Sequence, residues 1–178
     1  ASFHETLVAL RHGVTIYLID DELRQDILAV RKFINDHNCT HIACTTSYLR
    51  ALGHDTTLDT IFVMGERAGS VDPGKYNVVN MYGSSEAIIS MLPLANVEDA
   101  PIGEAFAGQL DIVDDEGNLA DVGELVYRGR GIMLGYLHQI AGNIPSAPLP
   151  EYHTGDLARR DETGLHIIGR KGDMIKIN

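Results

Sequence analysis

Apolar positions in the first 95 residues recur with a helical period and a strand period in turn. SFHETLVALRH places Phe3, Leu7 and Leu10 at helical spacing and stops at Gly13, while VTIYLI is a β-branched run of strand length. DELRQDILAVRKFINDHN sets Leu23, Ile27, Val30 and Ile34 on one helix face, with acidic residues in its first turn. Strand HIACTT, short helix SYLRALG and strands TIFVMG and VVNMYG follow. This alternation predicts a parallel sheet covered by helices.

After Pro101 the pattern changes to short strands separated by turn signals. QLDIV, the turn DDEGN and GELVYRG predict one hairpin; DLARR, the turn DETG and LHIIGR predict another; MIKIN predicts a last strand. The reading is α/β, with an α/β subdomain over residues 1–98, a β-rich subdomain over 99–168 and a short segment over 169–178. The pattern starts inside a helix without a cap and stops one residue after the apolar core MIKI, as expected of a piece of a longer chain.

Composition narrows the function classes. The chain has 178 residues, 44% hydrophobic and 22% charged, which suits a globular domain rather than a disordered tail. No apolar run approaches the roughly 20 residues that span a bilayer, and the first residues lack the order of a signal peptide, so the chain reads as soluble and cytoplasmic. The net charge is −11, split into 7 basic and 20 acidic residues over 1–127 and 7 and 5 over 128–178. An acidic body argues against nucleic-acid or anionic-membrane partners, because phosphate affinity depends on Lys and Arg. Cys39 and Cys44 have no CxxC spacing and read as reduced, partly buried thiols.

The phosphate loops GxxxxGK[ST] and GxGxxG, the GxSxG elbow and HExxH are all absent. The informative stretch is NVVNMYGSSEA, Asn77 to Ala87, at the C-terminal edge of the predicted parallel sheet, where ligands bind in open α/β sheets. Tyr82 offers a flat face for a base, Ser84 and Ser85 offer donors to phosphate oxygens, and Glu86 offers a hard oxygen ligand for Mg²⁺.

This stretch resembles the N-x-Y-G-x-[ST]-E motif of the adenylate-forming enzymes, the superfamily of nonribosomal peptide synthetase adenylation domains, acyl-CoA synthetases and luciferases. Further motifs follow in that family's order. GELVYRGRGIMLGYL (Gly123 to Leu137) resembles GELxxxGxxxxxGYL, YHTGDLAR (Tyr152 to Arg159) resembles Y-[RK]-TGDL, and GRKGDMIKIN (Gly169 to Asn178) resembles the hinge motif GRxxDxxKxxG. ASFHE is similar to the tail of FDxSxxE, and VMGERAG (Val63 to Gly69) to the GGExL segment near the adenine. The chain is most similar to the adenylation domains. The resemblance implies a flavodoxin-like subdomain followed by a distorted β-barrel, both part of a larger N-terminal domain.

It also implies roles. Tyr82 would stack on adenine, Ser85 would approach the α-phosphate, and Glu86 would coordinate Mg²⁺, making Ser85 and Glu86 the catalytic pair. Gly83, Ser84, Gly65 and Glu66 would complete the ATP/AMP site, Asp156 would accept from both ribose hydroxyls, and Arg170 would contact ribose or phosphate. Asp173 would be the hinge toward a further C-terminal domain. The acyl pocket would be lined by the positions of Ala1, His4, Phe62, Met64, Met81, Ile89 and Ser90, a mostly apolar set that suits a small or apolar acid. Gly123, Gly129 and Gly135 are read as serving backbone geometry.

The implied chemistry is AMP-forming ligation of a carboxylic acid, foremost an amino acid, followed by thioester formation on a carrier protein's phosphopantetheine arm. An acyl- or aryl-CoA synthetase segment and a non-catalytic module that keeps the fold are the alternatives. The sequence departs from the family in having Ser84 where Pro is usual and in an unusual connection AGNIPSAPLPE. The family's phosphate loop is expected before residue 1 and its lysine-bearing domain after residue 178, so the 178-residue chain alone is expected to be inactive.

Overall fold

The computed structural model describes residues 4–94, 99–105, 107–140, 142 and 144–172. It divides into two compact units. The first comprises 1–80 with 93–98, and the second 81–92 with 99–178.

In the first unit a π-helical turn, His4–Val8, runs into α1 (Ala9–His12), which ends on Gly13 with a left-handed φ of 64°. VTIYLI does not form the predicted strand. Residues 14–19 carry no ladder, and Leu18 is 87% exposed. The run instead lays Tyr17 edge-on against Phe33, with centroids 5.6 Å apart. The long predicted helix is broken into α2 (Asp21–Gln25) and α3 (Ile27–Asp36). At the break, Asp26 is extended and its carboxylate accepts from Leu28 N and Ala29 N, so it restarts the helix as an N-cap.

Helix α3 buries Val30 and Ile34, two of the four predicted face residues. Strand β1 (His41–Cys44), helix α4 (Thr46–Leu52) and strand β2 (Thr60–Val63) form a βαβ unit whose strands pair in parallel, His41 beside Thr60. Strand β3 (Asn77–Gly83) adds in parallel to β2, with Thr60 beside Asn77, and β4 (Ile88–Leu94) completes the order β1-β2-β3-β4. The alternating burial of Ile61, Val63 and Val78 fits a sheet with covered faces.

The second unit is built on an antiparallel sheet, β5 (Gly108–Val113), β6 (Val122–Gly129), β7 (Tyr152–Asp161) and β8 (Gly164–Arg170), in that order. Both predicted hairpins are present; the predicted strand MIKIN lies outside the described residues. A one-turn helix, α5 (Leu137–Ile140), lies between β6 and β7. The core joins Ile89, Ile102, Ile112, Leu125, Tyr127, Ile132, Ala158 and Leu165. Two motif glycines are required by close backbone approach: a Cβ on Gly123 falls 2.1 Å from Val113 O, and one on Gly129 falls 2.5 Å from Ala107 O.

Candidate nucleotide site

Strand β3 delivers Tyr82 and Gly83 to a tight connection into β4. Ser84 N donates to Ala87 O at 2.8 Å, and a Cβ on Gly83 would sit 2.6 Å from that same oxygen. The loop therefore needs glycine there, and it presents Ser84 and Ser85 to solvent with Glu86 half-buried. Within it Glu86 N donates to Ser84 Oγ at 3.3 Å, and Ser84 Oγ donates to the Tyr152 oxygen at 3.2 Å.

Opposite this loop, β7 and β8 hold the second half of the site. Asp156 pairs in register with Arg170, and Lys171 N donates to Gly155 O at 2.8 Å. Thr154, buried, donates to Leu125 O and accepts from Asp156 N, which fixes the backbone under the carboxylate. Tyr82 Oη then donates to Asp156 Oδ2 at 2.6 Å, and Arg170 Nε lies 3.7 Å from Oδ1. Burial, and then the hydrogen bond to Asp156, push the Tyr82 phenol far above its usual range. The Arg170 side chain is largely exposed, so its ion pair contributes little to stability.

Tyr82, Gly83, Ser84, Ile89, Tyr152, Thr154, Asp156 and Arg170 line one cavity of about 80 Å³. This is well below the roughly 300 Å³ at which ligand pockets begin. Tyr82 and Asp156, joined by their hydrogen bond, both stand in its wall. A larger concavity of about 210 Å³ in the first unit, lined by Thr46, Leu49, Arg50, His54 and Val71 among others, gathers none of the predicted site residues.

Glu86 is held at both ends by the loop after β6. Met133 N donates to Glu86 O at 2.8 Å, Ala87 bridges Ile132, and Tyr136 Oη donates to Glu86 Oε1 at 2.8 Å. The Ser84 hydroxyl first, and Tyr136 next, hold the Glu86 carboxyl below the usual range, so it is ionised at neutral pH. Among the described residues no three His, Cys, Asp or Glu side chains are grouped to hold a metal. A single anchored carboxylate does suit Mg²⁺, which keeps several waters and takes its other ligands from substrate phosphates.

The first unit carries the other predicted residues. Gly65 has a left-handed φ of 79°. Glu66 accepts from Ser47 N at 3.0 Å and Ser47 Oγ at 2.7 Å, contacts that lower its pKa and satisfy a free N–H at the start of α4. Phe62 and Met64 are half-buried, with the Phe62 ring stacked on His41. His4 opens the π-helical turn. In the second unit Met81 and Ile89 are buried, and the buried Ser90 spends its hydroxyl on Ile102 O at 2.6 Å. Ala1 and Asp173 lie outside the described residues. Sequence reasoning assigned no role to Tyr136, Tyr152 or Thr154; the signal was a tyrosine or threonine inside motifs already quoted, GYL and YHTGDL.

The parallel α/β unit followed by an antiparallel sheet is the fold of the N-terminal domain of adenylate-forming enzymes. The chain belongs to the AMP-binding enzyme family, which matches residues 1–137. It is 27% identical to malpinin synthetase of Mortierella alpina and 25% identical to surfactin synthase subunit 2 of Bacillus subtilis, each over 99% of this chain. It spans only 3% and 5% of those proteins. Among solved structures it superposes on a nonribosomal peptide synthetase, FmoA3, in an α-methyl-L-serine-AMP bound form. There the TM-score is 0.81 at 22% identity, over 96% of this chain and 23% of that one. The Vibrio cholerae adenylation domain AlmE, in complex with glycyl-adenosine-5′-phosphate, gives 0.76 at 20% identity over 96% and 38%. Among the described residues no helix is long and apolar enough to cross a membrane.

Proposed function

We propose that the chain is the nucleotide- and acid-binding part of an adenylation domain, which joins a carboxylic acid, foremost an amino acid, to AMP. The observation that carries this reading is the meeting of Tyr82 and Asp156 across 74 residues of sequence, beside a clamped Glu86. In the proposed reaction an oxygen of the acid's carboxylate attacks the α-phosphorus of ATP, and the bond to the β-phosphate oxygen breaks to release pyrophosphate. A carrier-protein thiol then attacks the acyl carbon, losing its proton, and AMP leaves.

Each residue has a task in this scheme. The Tyr82 ring stacks on adenine, Asp156 accepts the ribose hydroxyls, Arg170 contacts ribose or phosphate, and Gly83 and Ser84 complete the nucleotide contacts of this unit; Gly65 and Glu66 are assigned to the nucleotide by the family resemblance. Ser85 approaches the α-phosphate. Glu86 would hold Mg²⁺, which supplies charge neutralisation at the phosphates. His4, Phe62, Met64, Met81, Ile89 and Ser90 are the positions that the family resemblance assigns to the acid, and the apolar character of most of them favours a small or apolar side chain on it. The segment 169–178, with Asp173, is the hinge.

The test is ATP–pyrophosphate exchange by the full natural polypeptide with a panel of amino, aryl and fatty acids. Exchange with an amino acid supports the proposal. Exchange only with a non-amino acid moves the assignment to an acyl- or aryl-CoA synthetase, and exchange with no acid removes the catalytic reading.

A further inference from the structure

We infer that Tyr136 is a positioning residue for Glu86, fixing one carboxylate oxygen so that the other is presented to a divalent cation; this rests on the function proposed above. Glu86 stands on a loop open to solvent, where a free carboxylate samples several rotamers and loses that freedom on binding a metal. Here the freedom is already removed. Its carbonyl is bonded to Met133 N, its neighbour Ala87 is bridged to Ile132, and its Oε1 accepts from Tyr136 Oη at 2.8 Å.

These three partners come from one loop, residues 132–136, so the backbone and one carboxylate oxygen of Glu86 are referenced to the same body, while the Ser84 hydroxyl also holds the carboxyl from the Glu86 loop itself. The Tyr136 ring is in turn stacked on His138, with centroids 5.7 Å apart and planes 20° from parallel. Tyr136 is 41% exposed, so its hydroxyl has water as an alternative partner and is not placed on Glu86 by burial alone. Metal-ligating carboxylates are commonly held by such outer hydrogen bonds, whose loss costs roughly 10- to 100-fold in metal affinity.

The test is Mn²⁺ binding to the full natural polypeptide in the presence of a non-hydrolysable ATP analogue, followed by electron paramagnetic resonance. It compares the wild type with Tyr136→Phe, Glu86→Gln and the double variant. Tyr136→Phe removes one oxygen and keeps the ring stack, so the thermal midpoint stays near that of the wild type. Its Mn²⁺ dissociation constant rises roughly tenfold, Glu86→Gln raises it further, and the double variant matches Glu86→Gln because Tyr136 acts only through Glu86. In exchange assays the half-saturating Mg²⁺ concentration rises in Tyr136→Phe while the rate at saturating Mg²⁺ changes less.

Unchanged Mn²⁺ affinity in Tyr136→Phe together with weakened affinity in Glu86→Gln overturns the role of Tyr136 alone. Additive losses in the double variant also overturn it. No change in Glu86→Gln removes Glu86 as the ligand and the present inference with it.

Discussion

The Tyr82 hydroxyl donates a 2.6 Å hydrogen bond to Oδ2 of Asp156, joining the end of β3 to the middle of β7. The bond satisfies a partly buried phenol, and it also occupies the acceptor that the proposed function assigns to ribose. Binding a nucleotide therefore exchanges one hydrogen bond for others, and the net gain is smaller than a free carboxylate would give.

Replacing Asp156 by Asn tests the ribose assignment. Hydrogen bonds to a charged partner contribute about 1.5–3 kcal/mol, so the ATP KM is expected to rise roughly 10- to 100-fold, with kcat changed less because ribose contacts bind ground and transition states alike. Steady-state exchange kinetics at saturating acid check this; a loss confined to kcat contradicts it.

The two ends of Tyr82 separate in two substitutions. Tyr82→Phe keeps the ring and frees Oδ2 of Asp156, so the ATP KM stays within a few-fold of the wild type. Tyr82→Ala removes a base-stacking surface worth about 1–3 kcal/mol and raises KM roughly tenfold or more. Equal losses in both variants, read from the same kinetics, refute the stacking role.

Gly123 is a structural requirement rather than a ligand contact. A Cβ there meets Val113 O at 2.1 Å, one residue beyond the last β5–β6 pair, so Gly123→Ala forces the strand ends apart and is expected to cost about 1–3 kcal/mol. Urea unfolding measures the loss, and the ATP KM of the folded fraction stays unchanged.

The β7–β8 turn carries a pH signature. Asp161 accepts from Thr163 N and Oγ1 and from Arg159, and these contacts, the Thr163 bonds foremost, lower its pKa from 3.8 to about 2. A depressed carboxyl pKa stabilises the fold above its unfolded value and loses that contribution as pH falls through the folded value. Asp161→Asn is therefore destabilising at pH 7, and its difference from the wild type shrinks below about pH 4 to a small remainder near pH 2, where about half of the native carboxyl is still ionised. Urea midpoints across that range check the prediction; a difference at pH 2 as large as that at pH 7 contradicts it.

Much of this architecture is legible in the order of apolar periods. The helix and strand patterns of 27–63, VVNMYG and both later hairpins appear in the structure because each buries the face that its period marks. VTIYLI fails because a β-branched run specifies extended backbone but not a neighbouring strand to pair with. The long helix is cut at Asp26 because its carboxylate serves the following N–H groups better as a cap than as a helix-interior side chain. Strand β4 is unmarked in the sequence, its run IISMLPL having neither alternation nor a clean end before Pro93.

The site divides similarly. Tyr82, Glu86 and Asp156 are visible as members of ordered motifs, but their contacts are not. Tyr136 reaches Glu86 across 50 residues and Ser84 reaches Tyr152 across 68, and no local spacing encodes such pairings. Likewise Glu66 is visible in VMGERAG, while its bonds to Ser47 depend on where β2 ends relative to α4.

Equilibrium binding of AMP, measured by isothermal titration with the full natural polypeptide, tests the central claim most directly. The account predicts saturable binding by the wild type, weakened roughly tenfold or more in both Tyr82→Ala and Asp156→Ala, with both variants folded by circular dichroism. Absence of AMP binding in the wild type, or affinity unchanged in both variants, would contradict the assignment of this cavity to the nucleotide.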